Sequence, residues 1–436
     1  MSNLKTHQIT GDEIYSFARR IFPICRSLTG EGVRQTLLEI KKLGVDLRVC
    51  KISSGTKVYD WHIPDEWNIS EAFILGPAGE KIIDFRDNNL HVVGYSEPVD
   101  LELTLEELLS HVHSLPQRPA AIPYVTSYYE RRWGFCMSEN QKRKLQPGKY
   151  RAVIKSTLKP GEMNYGEVLI PGRSPKEVFL STYICHPSMA NNEVSGPAVL
   201  SFIAKSLQDS KEQPNLSYRI VFVPETIGAI AYISRNLKVL QKQVLAGMNV
   251  TCVGDNRAYS YLPSRHGNTL ADRALRTVLS YFDEKFLRYS FLQRGSDERQ
   301  YCAPGVDLPV CSFMRSKYGE YPEYHTSDDN LQLISANALE ESFSVIQRWI
   351  TILDNNTRYR AKVRCEPQLG KRGLYSTLGG QENGQSLGKK LTDVFTYSDG
   401  EKDTLEVSDI IGLSFEETHS LAKILLEHDL IEELKA

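Results

Sequence analysis

From Glu177 onward the sequence alternates short apolar strands with helices, and that alternation leaves few folds open. Apolar runs at Glu177–Ile184, Tyr218–Pro224, Met248–Val253 and Leu308–Phe313 read as strands. Helical patterns fall between and after them, at Pro197–Leu207, about Ala229–Asn236, Thr269–Leu279 and Ser335–Leu353. The expected fold class is therefore α/β, a mostly parallel mixed sheet with helices on both faces and right-handed crossovers. In such sheets ligands bind outside the carboxyl ends of strands. His186 stands just past the first of these strands, followed by the turn Ala190-Asn-Asn192-Glu193-Val-Ser-Gly196. Asn192, Glu193 and Ser195 are equally good residues for simply starting a helix.

The 436 residues exceed one ordinary core, and the texture before Glu177 differs. Residues 10–43 predict two helices, the first capped by Thr10, broken at Ser27-Leu-Thr-Gly30. Strand-like Leu47–Ile52 follows. Arg34, near Gly30 and Gly32, reads as a solvated helix charge. From Val58 to Ile170, short apolar runs are broken by Pro, Gly and Asn, the pattern of strands and turns. One helix is expected there, Thr104–Leu115, with His111 and His113 on nearly opposite sides. The implied division is an α/β domain in two pieces, 1–57 and 171–354, an inserted β-rich domain at 58–170, and a third domain at 355–436. The net charge is −2 and eight cysteines are scattered without a CxxC pair. No apolar run reaches the length of a membrane helix, and the N-terminus lacks an apolar signal core. These features predict a reduced, cytoplasmic protein with no membrane partner, and they leave a homo-oligomer open.

The third piece follows a glycine-rich stretch from Leu378. It predicts helices Thr404–Ile411 and Phe415–His428 around a Gly412-Leu-Ser turn, with Ser414 and Glu417 as a capping box. That is helix-turn-helix spacing, winged in form. Residues 391–436 carry twelve Asp/Glu against three Lys. Phosphate neutralisation dominates DNA affinity, so no nucleic-acid partner is expected and a packing or protein-contact role is.

Three later segments supply chemistry to join His186. Glu225 follows a strand in Val223-Pro-Glu225-Thr226-Ile-Gly228 and suits a general base, or a helix N-terminal carboxylate. Arg294-Gly-Ser-Asp297-Glu298-Arg is a dense charged loop. His325 stands among carboxylates in Glu320-Tyr-Pro-Glu323-Tyr324-His325-Thr-Ser-Asp328-Asp329. Two histidines from distant loops plus carboxylates are the ligand inventory of zinc hydrolysis.

The order of these pieces resembles the zinc aminopeptidase family, which also includes glutamate carboxypeptidases and glutaminyl cyclases. That family runs His, an Ala-Asn-Asp-x-x-Ser-Gly-like turn, Glu-Glu-x-Gly, a strand-end Asp, and a late His-Thr. The matching pieces here are His186, Ala190–Gly196, Glu225–Gly228, Thr251 and His325-Thr326. The chain is similar still more closely to bacterial aminopeptidase-like proteins with an inserted β domain and a C-terminal winged helix. These share His-Pro-Ser-x-Ala-Asn, Pro-Glu-Thr-Ile-Gly and Glu-Tyr-His-Thr-Ser. The sequence departs from the family at three metal ligands, where it has Asn192, Thr226 and Thr251. Without those carboxylates two adjacent cations would repel. The resemblance thus implies a single zinc on His186, Asn192 and His325, with Glu193 next to it as a substitute ligand. It implies Glu225 as general base. Asp255, Arg294, Asp297, Glu323 and Tyr324 become candidates for binding substrate, Arg294 by holding a carboxylate.

The function this implies is zinc-dependent hydrolysis of amide bonds, most simply as an aminopeptidase on short peptides. An amidase, deacylase or cyclase on the same scaffold is the alternative within enzymes. A metal-poor binding or assembly protein is the alternative outside them, favoured by the three lost ligands and opposed by the joint survival of both histidines and Glu225.

Overall fold

Strand Glu177–Tyr183 is buried along its whole length, as its unbroken apolar run requires. In the computed structural model, which describes residues 9–374 and 386–434, it lies inside an eight-stranded sheet. Across that sheet the strands begin at Arg48, Glu162, Ser217, Glu177, Val244, Val310, Ser260 and Leu287. The four from Ser217 to Val310 run parallel; the strands from Arg48 and Glu162 pair antiparallel on one side, and that from Ser260 on the other. The chain leaves Glu177–Tyr183 for its neighbour on one side, Ser217–Val223, and then returns to its other side at Val244–Val250. Strand order therefore reverses at this strand, and the carboxyl end of such a strand is where open α/β sheets bind ligands. His186, Glu225 and Thr251 all follow that end of the sheet.

The helices expected around these strands are present, with ends displaced by a few residues. They span Ser195–Gln208, Ile227–Gln243, Leu270–Phe282 and Ala336–Asn355. A single π turn, Ala190–Val194, precedes the first and carries Asn192 and Glu193. Neither residue caps the helix. A Cβ on Gly196 would lie 2.4 Å from Thr182 Oγ1 and 2.7 Å from the Val250 carbonyl. Glycine is thus what lets this turn press onto the strand ends.

Before Glu177 the two N-terminal helices are Gly11–Ile21, capped reciprocally by Thr10 and Glu13, and Glu31–Lys42. A four-stranded antiparallel sheet follows, made of Lys81–Asp84, Glu66–Leu75, Lys149–Lys159 and Val99–Thr104. Its core includes Ile74, Phe135, Tyr150 and Ile154. Strand Glu162–Ile170 belongs to the large sheet instead. The helix expected over Thr104–Leu115 is a correction: it spans only Leu105–Leu109. Pro116 disfavours helical backbone at Leu115, and Val112-His113 instead pairs with Phe135-Cys136. His111 stacks on Trp133 at 3.7 Å. Arg34 is no solvated charge either. It binds Glu31, Glu66 and Asn164.

The described chain divides into two compact units between Gln347 and Arg348. The second holds helices Leu387–Thr396, Thr404–Ile411 and Phe415–Glu427 and a three-stranded sheet of Asp399–Asp403, Arg358–Ala361 and Ile431–Leu434. Leu391, Val394, Leu421 and Leu425 fill its core. Gly412 ends the second helix in the left-handed region at φ 68°. Ser414 accepts from the Glu417 N–H, as expected. The reciprocal half of the capping box is absent, because the Glu417 carboxylate is held by Lys390 at 2.6 Å. The glycine-rich stretch from Leu378 lies outside the described residues. Among the described residues no helix is long and apolar enough to cross a membrane.

Candidate functional site

His186 is buried, with its ring fixed from behind. Its Nδ1–H donates to Glu193 Oε2 at 2.9 Å, and Glu193 Oε1 is paired with the Arg26 guanidinium at 3.2 Å. Both members of that ion pair are 1% exposed. Burial alone would lower the His186 imidazole, and Glu193 reverses this and raises it. Cys185 Sγ lies 3.4 Å from the same Nδ1 and accepts from the Glu225 N–H. Cys185, His186 and Glu193 are the one group of three or more His, Cys, Asp or Glu ligand atoms this close together among the described residues. A cation there would compete with Arg26 for Glu193 and with burial for the thiol proton, since burial pushes Cys185 well up. The trio is better suited to orienting the imidazole.

The opposite ring nitrogen, His186 Nε2, lies 3.6 Å from Glu225 Oε2. Burial raises the Glu225 carboxyl, with His186 and then Arg299 pulling it back. Thr226, at φ 63°, turns its N–H onto Asp297 at 2.7 Å and its hydroxyl onto Arg299 at 2.7 Å. A guanidinium thus sits against the side chain that replaces a carboxylate in the family pattern. Asp297 is buried with one oxygen unpartnered, and burial pushes its carboxyl well up.

His325 arrives from the late loop. Its ring centroid is 5.4 Å from that of His186, and Tyr324 stacks on it at 3.9 Å. His325 Nε2 is buried without a hydrogen-bond partner. Burial pushes the imidazole down to about 3, so it is neutral. Tyr124, from the segment between the strands of the inserted sheet, packs on both rings, 5.3 Å from His186 and 5.1 Å from His325. Its backbone N–H donates to the His325 carbonyl, and its hydroxyl pairs with Tyr128 at 2.8 Å.

Asn192 lies behind Tyr183, whose ring is 5.2 Å from that of His186. The Thr251 hydroxyl donates to the Asn192 carbonyl, so the Tyr183 hydroxyl donates to Thr251, at 2.5 Å. Tyr183 must then accept from Asn192 Nδ2, at 2.7 Å. This chain of donors fixes the carboxamide and leaves Asn192 Oδ1 buried and unpartnered. Asp329 cradles the turn, accepting from the N–H groups of Asn191 and Asn192.

His186, Glu225 and His325 are thus brought together, with Tyr324 on His325 and Asp297 tied in through Thr226. The other expected residues have different commitments. Asp255 accepts from Asn191 and Ser316. Glu323 forms a bidentate pair with Arg257 at 2.8 Å. Arg294 is exposed, over the Phe291 ring. Glu193 is taken up by Arg26 and His186. Sequence reasoning missed Arg26, Tyr124, Tyr128 and Tyr183, which carry no spacing signal. Arg299 and Asp329 lay inside segments already singled out. Tyr128, Ser188, Thr226, Cys252 and His325 all have positive φ. Such strain costs about 1–3 kcal/mol each and gathers at functional sites.

A family model described as a domain of unknown function, DUF4910, matches residues 15–356. The chain belongs to the DUF4910 family. A winged helix-turn-helix model matches residues 357–433. A Clostridium acetobutylicum protein is 42% identical over 423 residues, 97% of this chain and 96% of its own length. It bears the provisional name of a polysaccharide biosynthesis protein with an aminopeptidase-like domain. A crystal structure from the same organism, provisionally named a peptidase, superposes with a TM-score of 0.90 at 40% identity, covering 97% of this chain and 96% of that one. The zinc aminopeptidase BSAP of Bacillus subtilis superposes at 0.56 with 14% identity, over 79% of this chain and 95% of that one. A peptidase M28 precursor from Shewanella amazonensis does so at 0.53 with 13% identity, over 82% and 95%. The fold of this DUF4910 protein is accordingly aminopeptidase-like, with a C-terminal winged helix.

Proposed function

We propose that this DUF4910 protein hydrolyses amide bonds with the help of one zinc ion, and that Glu225 is its general base. The observation that carries the reading is the meeting of His186 and His325. Two imidazoles 139 positions apart come within 5.4 Å beside a carboxylate, and one of them keeps a buried nitrogen without a partner. An unsatisfied buried polar atom costs about 1–3 kcal/mol, and His325 Nε2 and Asn192 Oδ1 are two such atoms. Both are lone-pair donors, and the first belongs to a neutral imidazole, the form that binds metal. These two unpartnered atoms and the paired imidazoles support a cation held by His186, His325 and the Asn192 carboxamide. Thr226 and Thr251 are committed to Arg299 and Tyr183, which supports one zinc and not two.

When bound, zinc supplies Lewis-acid polarisation of an amide carbonyl. The chain's own residues do the rest. Glu193 fixes the His186 ring, and Tyr324 and Tyr124 fix His325. Glu225, its proton affinity raised by burial, takes a proton from the attacking water and delivers it to the leaving amine. The name of the Clostridium acetobutylicum relative supports a substrate whose amide is carried on a saccharide, a deacylase-like variant of the aminopeptidase reaction.

Elemental analysis of protein purified without chelator tests the reading, together with His186→Ala and His325→Ala. About one zinc per chain is expected, lost in both variants. Glu225→Gln should keep the zinc and lose release of free amine from amide substrates. No bound metal after incubation with zinc would overturn the reading.

A further inference from the structure

The aromatic residues of the inserted segment do not stop at the histidines. The Trp61 and Tyr129 rings lie 5.9 Å apart, tilted by 57°, and His62 adds a third ring 5.4 Å from Tyr129. The Tyr129 hydroxyl donates to the His62 carbonyl at 3.0 Å, which ties the loop of Tyr129 to the hairpin of Trp61. Trp61 is 41% exposed, Tyr129 42% and nearby Tyr59 50%. Tyr59 holds this exposed position at φ 54°, a strained conformation for a bulky residue. Charged groups follow these rings along both segments. Arg131 binds Asp65 at 3.1 Å and Glu97 at 3.2 Å, and all three remain partly exposed.

The residue next to Tyr129 reaches the site. Tyr128 precedes Tyr129, its hydroxyl meets Tyr124, and the Tyr124 ring lies on His186. Tyr128 and Tyr124 thus connect the segment that bears Tyr129 to the paired imidazoles.

We propose that the Trp61–Tyr129 pair is a saccharide subsite, on which one sugar ring of the substrate stacks while its amide reaches His186 and His325. The proposal rests on the amide-hydrolase reading and names its substrate class. A pyranose has an apolar C–H face and a rim of hydroxyls. It therefore matches aromatic rings that are half open to solvent, with hydrogen-bonding charged groups on adjoining residues.

Titration calorimetry on the full chain tests this with chitotriose, cellotriose and the tripeptide Leu-Gly-Gly. At least one saccharide should bind saturably. Trp61→Ala and Tyr129→Ala should each weaken it at least tenfold, and Trp61→Phe less. Glu225→Gln should retain saccharide binding while losing turnover, so failure of the hydrolase reading and failure of the subsite remain separate results. Absence of saturable binding by both saccharides would overturn the proposal. So would affinity unchanged in both alanine variants, or a peptide affinity that depends on Trp61 when saccharide affinity does not. A dimer that Trp61→Ala dissociates, without loss of saccharide binding, would assign the face to self-association instead.

Discussion

Glu193 stands between His186 and Arg26, giving one carboxylate oxygen to each, at 2.9 and 3.2 Å. The imidazole is thereby fixed through the nitrogen that faces away from Glu225. Removing this carboxylate strands a buried guanidinium as well as freeing a ring. Glu193→Ala should cost about 3–5 kcal/mol of stability, read by urea unfolding. Glu193→Gln keeps the shape, and zinc affinity should fall roughly 10–100-fold. Zinc affinity within twofold of the native protein would show that Glu193 does not orient the ligand.

Asn192 offers a neutral oxygen where a carboxylate would bind a cation more tightly. Asn192→Asp should raise zinc affinity at least about tenfold, roughly 1.4 kcal/mol, measured by competition with a chromophoric chelator. The stoichiometry should stay at one, because Arg299 remains on Thr226. Two zinc ions per chain in this variant would mean that the guanidinium does not exclude the second.

Tyr124 reaches the histidines from a different part of the chain, and its ring and hydroxyl separate cleanly. Tyr124→Ala removes the packing on both imidazoles and should cost roughly 2–3 kcal/mol, with zinc affinity falling too. Tyr124→Phe keeps the ring and loses only the bond to Tyr128. It should hold zinc like the native protein. Equal loss in both variants would place the effect in the hydroxyl.

His186, Glu225 and His325 were legible in the sequence because each follows a strand or sits in an ordered motif, and the alternation from Glu177 fixed where strand ends would gather. Tyr124 was not legible. Its place depends on Tyr124 donating to the His325 carbonyl and Ile122 exchanging bonds with Ser327, contacts made largely by backbone that no residue type announces. Arg26 was hidden for a related reason: a buried ion pair spanning 167 positions leaves no periodicity. The resemblance also implied Asp255 and Glu323 as substrate groups, yet such carboxylates serve equally to hold loops, as they do here with Ser316 and Arg257. The short helix after Thr104 shows the opposite limit. Thr104 and Glu107 cap its start reciprocally, but the residues beyond it go to a strand pair that only the tertiary fold provides.

The winged helix should not bind a DNA duplex. The two helices of its helix-turn-helix, from Thr404 to Glu427, carry five acidic side chains against one lysine, so the face that would enter a groove repels phosphates. Fluorescence anisotropy with a random 30-base-pair duplex at 50 mM salt should show no saturation below about 100 μM. Saturable, salt-sensitive binding at lower concentration would return this unit to nucleic-acid recognition.

Arg34 and Glu66 make a prediction about acid stability. Burial alone would raise the Glu66 carboxyl. The Arg34 guanidinium at 2.7 Å, with the Glu162 N–H and the Asn68 amide, outweighs it and holds the group at about 2. The folded-state value is thus depressed. Its contribution is fully present above the ordinary carboxylate range, near 4.5, and is lost as pH falls from there through about 2. Glu66 is 15% exposed and Arg34 33%, so after discounting for solvent the linkage is worth roughly 2 kcal/mol. Arg34→Met should lower stability at pH 7 by about half of this amount or more, since the Glu162 N–H and Asn68 remain, and by much less at pH 2.5. Its stability curve should therefore be flatter across that range in urea unfolding series. A stability loss of the same size at both pH values would mean that Arg34 acts through packing of its stem rather than through Glu66.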